Sequence, residues 1–86
     1  MAGVRYTQHA RLKFTVLAEH GFVVEEWRVT DTVLNPDNII VQKDKFIAQK
    51  NLSANHVLRV VYRMEGENRI VITFYPGRKS RYESSL

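Results

Sequence analysis

A chain of 86 residues has room for one domain and one core; burying roughly 60–65 % of its unfolded surface, it should be stable by about 4–13 kcal/mol. It has no cysteine, which excludes a disulfide framework and a thiolate metal site and fits a reducing, cytoplasmic setting, and no apolar run or N-terminal layout suggests a membrane span or a signal peptide. The net charge of +4 is unevenly placed: residues 1–37 carry four cations against five anions and residues 38–86 nine against four, so the positive excess falls on the C-terminal half and points to a polyanionic partner.

Val4-Arg5-Tyr6 reads as a short edge strand. Thr7 is a good N-cap for a helix through His20, with Ala10, Phe14, Leu17 and Ala18 on one face. Gly21 ends that helix, because glycine enters the left-handed conformation without a steric cost. A second helix is predicted over residues 24–34, with Glu25 and Glu26 at its positive end and an inward stripe of Trp27, Thr30 and Leu34 widened by Val33. This places Trp27 in the core. Asn35-Pro36-Asp37 closes the helix, since proline disfavours helical geometry in the residue before it.

Residues 38–42 and 46–50 read as a hairpin around Lys43-Asp44-Lys45. After a turn at Ser53-Ala54-Asn55 come two longer apolar runs, 57–64 and 70–75, flanking Glu65-Gly66-Glu67-Asn68; their branched and aromatic side chains mark them as central strands of a second hairpin. Pro76-Gly77 is expected to stop the ladder and release Arg78-Lys79-Ser80-Arg81-Tyr82 at one end of the sheet. The expected fold is α+β: two N-terminal helices packed on one face of a four-stranded antiparallel sheet, in a single domain over residues 1–86. Strand alternation turns Leu58, Val60, Tyr62, Ile70, Ile72 and Phe74 towards the helices. Arg59, Val61, Arg63, Arg69, Val71, Thr73 and Tyr75 then form a second face suited to binding RNA phosphates and stacking a base.

Two segments carry a resemblance. His20-Gly21-Phe22-Val23-Val24-Glu25-Glu26, continuing to Leu34-Asn35-Pro36-Asp37, resembles a segment of BrnT-type toxins. Asn68-Arg69-Ile70-Val71-Ile72, followed by Arg78-Lys79-Ser80-Arg81-Tyr82-Glu83, resembles their basic C-terminal strand and ending. Tyr6-Thr7-Gln8-His9-Ala10 is similar to the opening of a related small-domain family of unknown function, with Lys13 where that pattern has arginine. Both groups belong to the RelE/ParE-like superfamily of toxin–antitoxin systems. The resemblance implies a RelE-like domain, a metal-independent endoribonuclease acting on mRNA with no cofactor, and RNA, an antitoxin protein and the ribosome as partners. The superfamily also holds gyrase-directed toxins, and a catalytically silent nucleic-acid- or protein-binding module on the same fold is the alternative.

Metal-free RNA cleavage requires deprotonation of the 2′-OH, stabilisation of the phosphorane charge and protonation of the departing 5′-oxygen. Arg78, Lys79 and Arg81, with Arg59 and Arg63, can stabilise charge, since guanidinium groups match phosphate oxygens bidentately. His56 or Tyr82 can supply a proton, a phenol being a better acid than base at neutral pH. The candidate catalytic set is therefore Arg78, Lys79, Arg81, Tyr82 and His56, and the candidate RNA-binding set Arg59, Arg63, Arg69 and Tyr75. His9 and His20 read as structural or solvated, and no two histidines have a metal-ligand spacing. Nothing in the chain resembles a Gly-rich phosphate loop or a nucleophile elbow, so nucleotide hydrolysis and acyl transfer have no support.

Overall fold

The computed structural model describes residues 3–82, for Tyr82 the backbone only. In chain order its elements are β1 (Val4–Tyr6), α1 (Gln8–Glu19), α2 (Glu26–Leu34), β2 (Asn38–Val41), β3 (Phe46–Asn51), β4 (His56–Glu65), β5 (Asn68–Arg78) and one turn of helix, α3 (Lys79–Tyr82). The strands form one sheet in the order β1-β5-β4-β3-β2. The α+β class and the antiparallel meander of β2 to β5 follow the sequence reading, but the sheet has five strands rather than four. Val4, Arg5 and Tyr6 pair in parallel with Arg69, Ile70 and Val71, so β1 adds a parallel edge beside β5.

Local chemistry explains the helix boundaries. The Thr7 hydroxyl accepts from the Ala10 amide at 3.1 Å, satisfying a donor that the first turn of α1 leaves unpaired. At the other end, the amides of Phe22 and Gly21 donate to the carbonyls of Leu17 and Ala18 at 2.8 and 3.1 Å. This is a Schellman closure, with Gly21 at φ +88°. Gly66 also has positive φ, at +63°, and forms with Glu67 the two-residue loop between β4 and β5.

α1 lies against β5, and α2 against β4 and β3. Between them Ala10, Val24, Val29, Val33, Ala48, Leu58, Val60, Tyr62, Val71 and Phe74 make the core, with the Phe14 ring tilted against that of Phe74, centroids 4.6 Å apart. The buried stripe of α2 is Val29, Thr32 and Val33, not Trp27, Thr30 and Leu34. The helix starts at Glu26 rather than Val24, and Val24 plugs the core ahead of it. Trp27 is therefore turned out, 59 % exposed, with the Arg28 guanidinium 4.8 Å from its ring, and Leu34 and Ala18 are exposed too. Thr32 tolerates burial because its hydroxyl donates to the Arg28 carbonyl at 2.7 Å. Thr30 instead meets the Tyr6 hydroxyl, clipping β1 to α2, and burial raises the Tyr6 phenol above its ordinary value. Lys50 reaches from β3 to the Asp31 carboxylate at 2.8 Å, and hydrogen bonds from Lys50 and Asn35 hold that carboxyl below its usual range.

Two expectations for β5 fail for identifiable reasons. Val61 pairs with Thr73 but Tyr62 with Val71, so Ile72 is the extra residue of a β-bulge. The bulge inverts the alternation before it: Val71 joins the core, whereas Ile70 stands opposite Arg63 on the second face. Nor does Pro76-Gly77 end the ladder, since Leu58 pairs with Pro76, Val57 with Gly77 and His56 with Arg78. β1 accompanies β5 only as far as Val71, so Pro76 sits where β5 is open on one side and a missing amide costs no ladder bond. The basic tail consequently leaves the sheet after Arg78.

Candidate nucleic-acid interface

The later exit brings His56 and Arg78 together. They are direct partners across the β4–β5 ladder. The turn before β4 is closed by the amides of Leu52 and Ser53, both donating to the His56 carbonyl at 3.0 Å. The Lys79 amide donates to the Asn55 carbonyl at 2.9 Å and pins the start of α3 to that same turn. A cleft of about 350 Å³ results, lined by Asn55, His56, Arg78, Lys79 and Ser80. A second cleft of about 400 Å³, lined by Tyr75, Pro76, Gly77, Arg78, Ser80 and Arg81, shares Arg78 and Ser80 with it. The His56 ring is half-buried, edge-on to Phe22 with centroids 5.3 Å apart, and its Nδ1 lies 3.4 Å from the Ser53 hydroxyl. Arg78, Ser80 and Arg81 are exposed and Lys79 is half-buried. The arrangement sets an imidazole, which can accept and give a proton, beside three cations whose charge suits an anionic ligand.

The other candidates are spread along the sheet. Arg59 lies three residues from His56 and is buried, at 7 % exposure. Its Nε donates to the Tyr75 hydroxyl at 3.1 Å, its Nη1 donates to the Gln49 side-chain carbonyl, and its guanidinium lies 5.9 Å from the Tyr75 ring centroid. The second face is thus partly a closed polar and apolar mosaic, with Ile47, Gln49, Val57 and Ile70 also buried. Arg63 pairs with Glu65 at 3.2 Å near the hairpin. Seven residues of extended strand separate it from His56, about 23 Å. Arg69, opposite Met64, belongs to the same far end. The structure therefore groups His56, Arg78, Lys79 and Arg81, sets Tyr75 at the border of the second cleft, and leaves Arg63 and Arg69 remote. The side chain of Tyr82 and all of Glu83 lie outside the described residues.

Sequence reasoning missed Asn55 and Ser80 as lining groups, although their positions beside His56 and between Lys79 and Arg81 were a usable signal. It also missed that Arg59 organises the sheet. Arg59→Ala should destabilise the protein by about 1–3 kcal/mol, because the Tyr75 hydroxyl and the buried Gln49 amide each lose a partner. Chemical denaturation checks this; an unchanged midpoint would show that the network adds nothing.

Among the described residues no three His, Cys, Asp or Glu side chains group as a metal site, and no helix is long and apolar enough to cross a membrane. Comparison with protein-family models, with curated proteins and with solved structures finds no match to this chain.

Proposed function

We propose that the cleft between the start of β4 and the end of β5 binds the phosphate backbone of single-stranded RNA, and that the protein is an endoribonuclease of the toxin type, held in check by an antitoxin. The observation that carries the reading is the juxtaposition of His56 with Arg78, Lys79 and Ser80 in one cleft. In this mechanism His56 removes the proton from the 2′-OH. The 2′-oxygen attacks the adjacent phosphorus, and Arg78 and Lys79 stabilise the phosphorane charge. The 5′-oxygen leaves with a proton supplied by the imidazolium or by solvent, giving a 2′,3′-cyclic phosphate and a 5′-hydroxyl. The residues invoked use no metal, so cleavage should survive a chelator.

A specific observation favours the second reading, a binding module without turnover. Nδ1 of His56 is 3.4 Å from its Ser53 partner, at the long end for a hydrogen bond, so the imidazole is oriented loosely. Incubating purified protein with a long unstructured RNA in EDTA, with and without ribosomes, separates the two. The nuclease reading expects cyclic-phosphate ends in at least one setting. Salt-sensitive binding with intact RNA in both would leave only the binding module.

A further inference from the structure

The strand β2 closes one side of the sheet and has a composition that edges normally avoid. Its Ile39, Ile40 and Val41 are 43 %, 37 % and 71 % exposed, and no charge interrupts them. Pro36 and Asp37 precede the strand, and Lys43, Asp44 and Lys45 follow it. The other edge, β1, is three residues long with Val4 and Tyr6 half-buried.

Hydrogen-bond parity limits what can dock on β2. The Gln42 amide donates to the Lys45 carbonyl at 2.8 Å, and the β2–β3 register continues as Val41↔Phe46, Ile40↔Ile47, Ile39↔Ala48 and Asn38↔Gln49. In an antiparallel ladder bonded pairs alternate, so Asn38, Ile40 and Gln42 turn their backbone groups to β3, whereas Ile39 and Val41 turn theirs outward. A second copy meeting this edge about a two-fold axis must match outward groups with outward groups. Pairing Ile39 with itself would set Asp37 against Val41, and pairing Val41 with itself would set Lys43 against Ile39. Pairing Ile39 with Val41 places Ile40 opposite Ile40, the Asn38 amide opposite the Gln42 amide, and Asp37 opposite Lys43. Only this register matches apolar with apolar and opposite charges with each other.

We propose that β2 is the contact of a homodimer, in which two copies pair antiparallel about a two-fold axis at Ile40 and form one continuous ten-stranded sheet with α1 and α2 of both copies on one side. The occupant is a second copy rather than a foreign strand, because the edge is complementary to itself in hydrogen bonding, apolar surface and charge. Asp37 is anchored on β3, its carboxylate accepting from the Asn51 amide and its own amide donating to the Gln49 carbonyl, both at 2.9 Å, so the partner copy's flexible Lys43 is the side chain that reaches across the seam.

The chain has no native cysteine, which allows a direct test. In the proposed register the two Ile40 Cα atoms lie about 4.5 Å apart, within disulfide reach. Val41 and its mate are separated by about 7 Å along the strand in addition to the interstrand spacing, beyond that reach. Under mild oxidation Ile40→Cys should cross-link into a dimer on a non-reducing gel, and Val41→Cys should not. Sedimentation equilibrium should show wild type as a dimer, with Ile40→Lys associating at least about tenfold more weakly because two ammonium groups meet at the axis. Both positions are exposed, so circular dichroism can confirm that each variant is folded. A wild-type chain monomeric up to about 0.5 mM, well above the range expected of a specific interface, would overturn the proposal. So would Val41→Cys cross-linking as readily as Ile40→Cys.

Discussion

Phe74→Ala should destabilise the protein by about 3–5 kcal/mol, the range for emptying a fully buried aromatic site. Phe74 has no exposed surface, sits opposite Val60 on β5 and holds the Phe14 ring of α1 at 4.6 Å. Its loss would uncouple α1 from the sheet as well as leave a void. Against a total stability of about 4–13 kcal/mol this is a large share, and for a domain of this size it lowers the melting temperature on the order of 20 °C. Trp27→Ala is the informative control, because composition alone suggests a larger loss there. With Trp27 59 % exposed, the expected cost is under about 1 kcal/mol. Thermal melts of the two variants check the packing account; a larger loss for Trp27→Ala would show that the core has been placed on the wrong face of α2.

On the proposed nuclease reading, His56→Ala should lower RNA cleavage by about 10²–10⁴-fold while changing RNA affinity little, since a general acid–base group contributes to the transition state and barely to ground-state binding. Arg78→Ala should reduce both, because a cation beside the phosphate acts in the bound complex and in the phosphorane. The His56 ring packs on Phe22, so truncation could disturb the turn. His56→Gln fills most of the same space without a proton-transfer ring and should show the same loss of rate. Single-turnover cleavage with saturating protein, read beside a binding titration, separates the effects. If either His56 variant cleaves at the wild-type rate, the imidazole is not the base.

Much of the framework was legible because it rests on residues with local physical requirements. Thr7, Gly21 and Gly66 mark a cap, a helix stop and a hairpin through their own side-chain or backbone chemistry. The apolar runs of β4 and β5 are long enough that no other element accommodates them. The failures arise where the outcome depends on residues distant in the chain. From Ile70 to Thr73 the sequence is apolar or small on both faces, so alternation carries no mark of the bulge at Ile72. Helix α2 offers two apolar stripes, and burial of Val24 ahead of it selects the one containing Val29 and Val33 rather than the one containing Trp27. Pro76 can remain in the ladder only because β1 stops at Tyr6, seventy positions earlier in a chain whose strand lengths no local signal specifies.

The same distinction governs the site. The sequence reading sends Arg78, Lys79 and Arg81 to one end of the sheet and offers His56 as a proton source, without bringing the two together. Which cations meet His56 follows from the register, which pairs His56 with Arg78 and leaves Arg63 at the hairpin with Glu65. Burial of Arg59 against Tyr75 and Gln49 requires three adjacent strands, and its sequence neighbours give no sign of it.

The proposed mechanism stands on the location of the proposed RNA site, which amide chemical-shift mapping can test. A short single-stranded RNA with a non-cleavable 2′-deoxy substitution, titrated into ¹⁵N-labelled protein at low salt, reports where the backbone environment changes. The largest shifts are expected at residues 55–57 and 77–81, the amides around His56, Arg78 and Lys79, weakening together as salt is added. Shifts centred on residues 63–69, around the hairpin with Arg63 and Arg69, would contradict it.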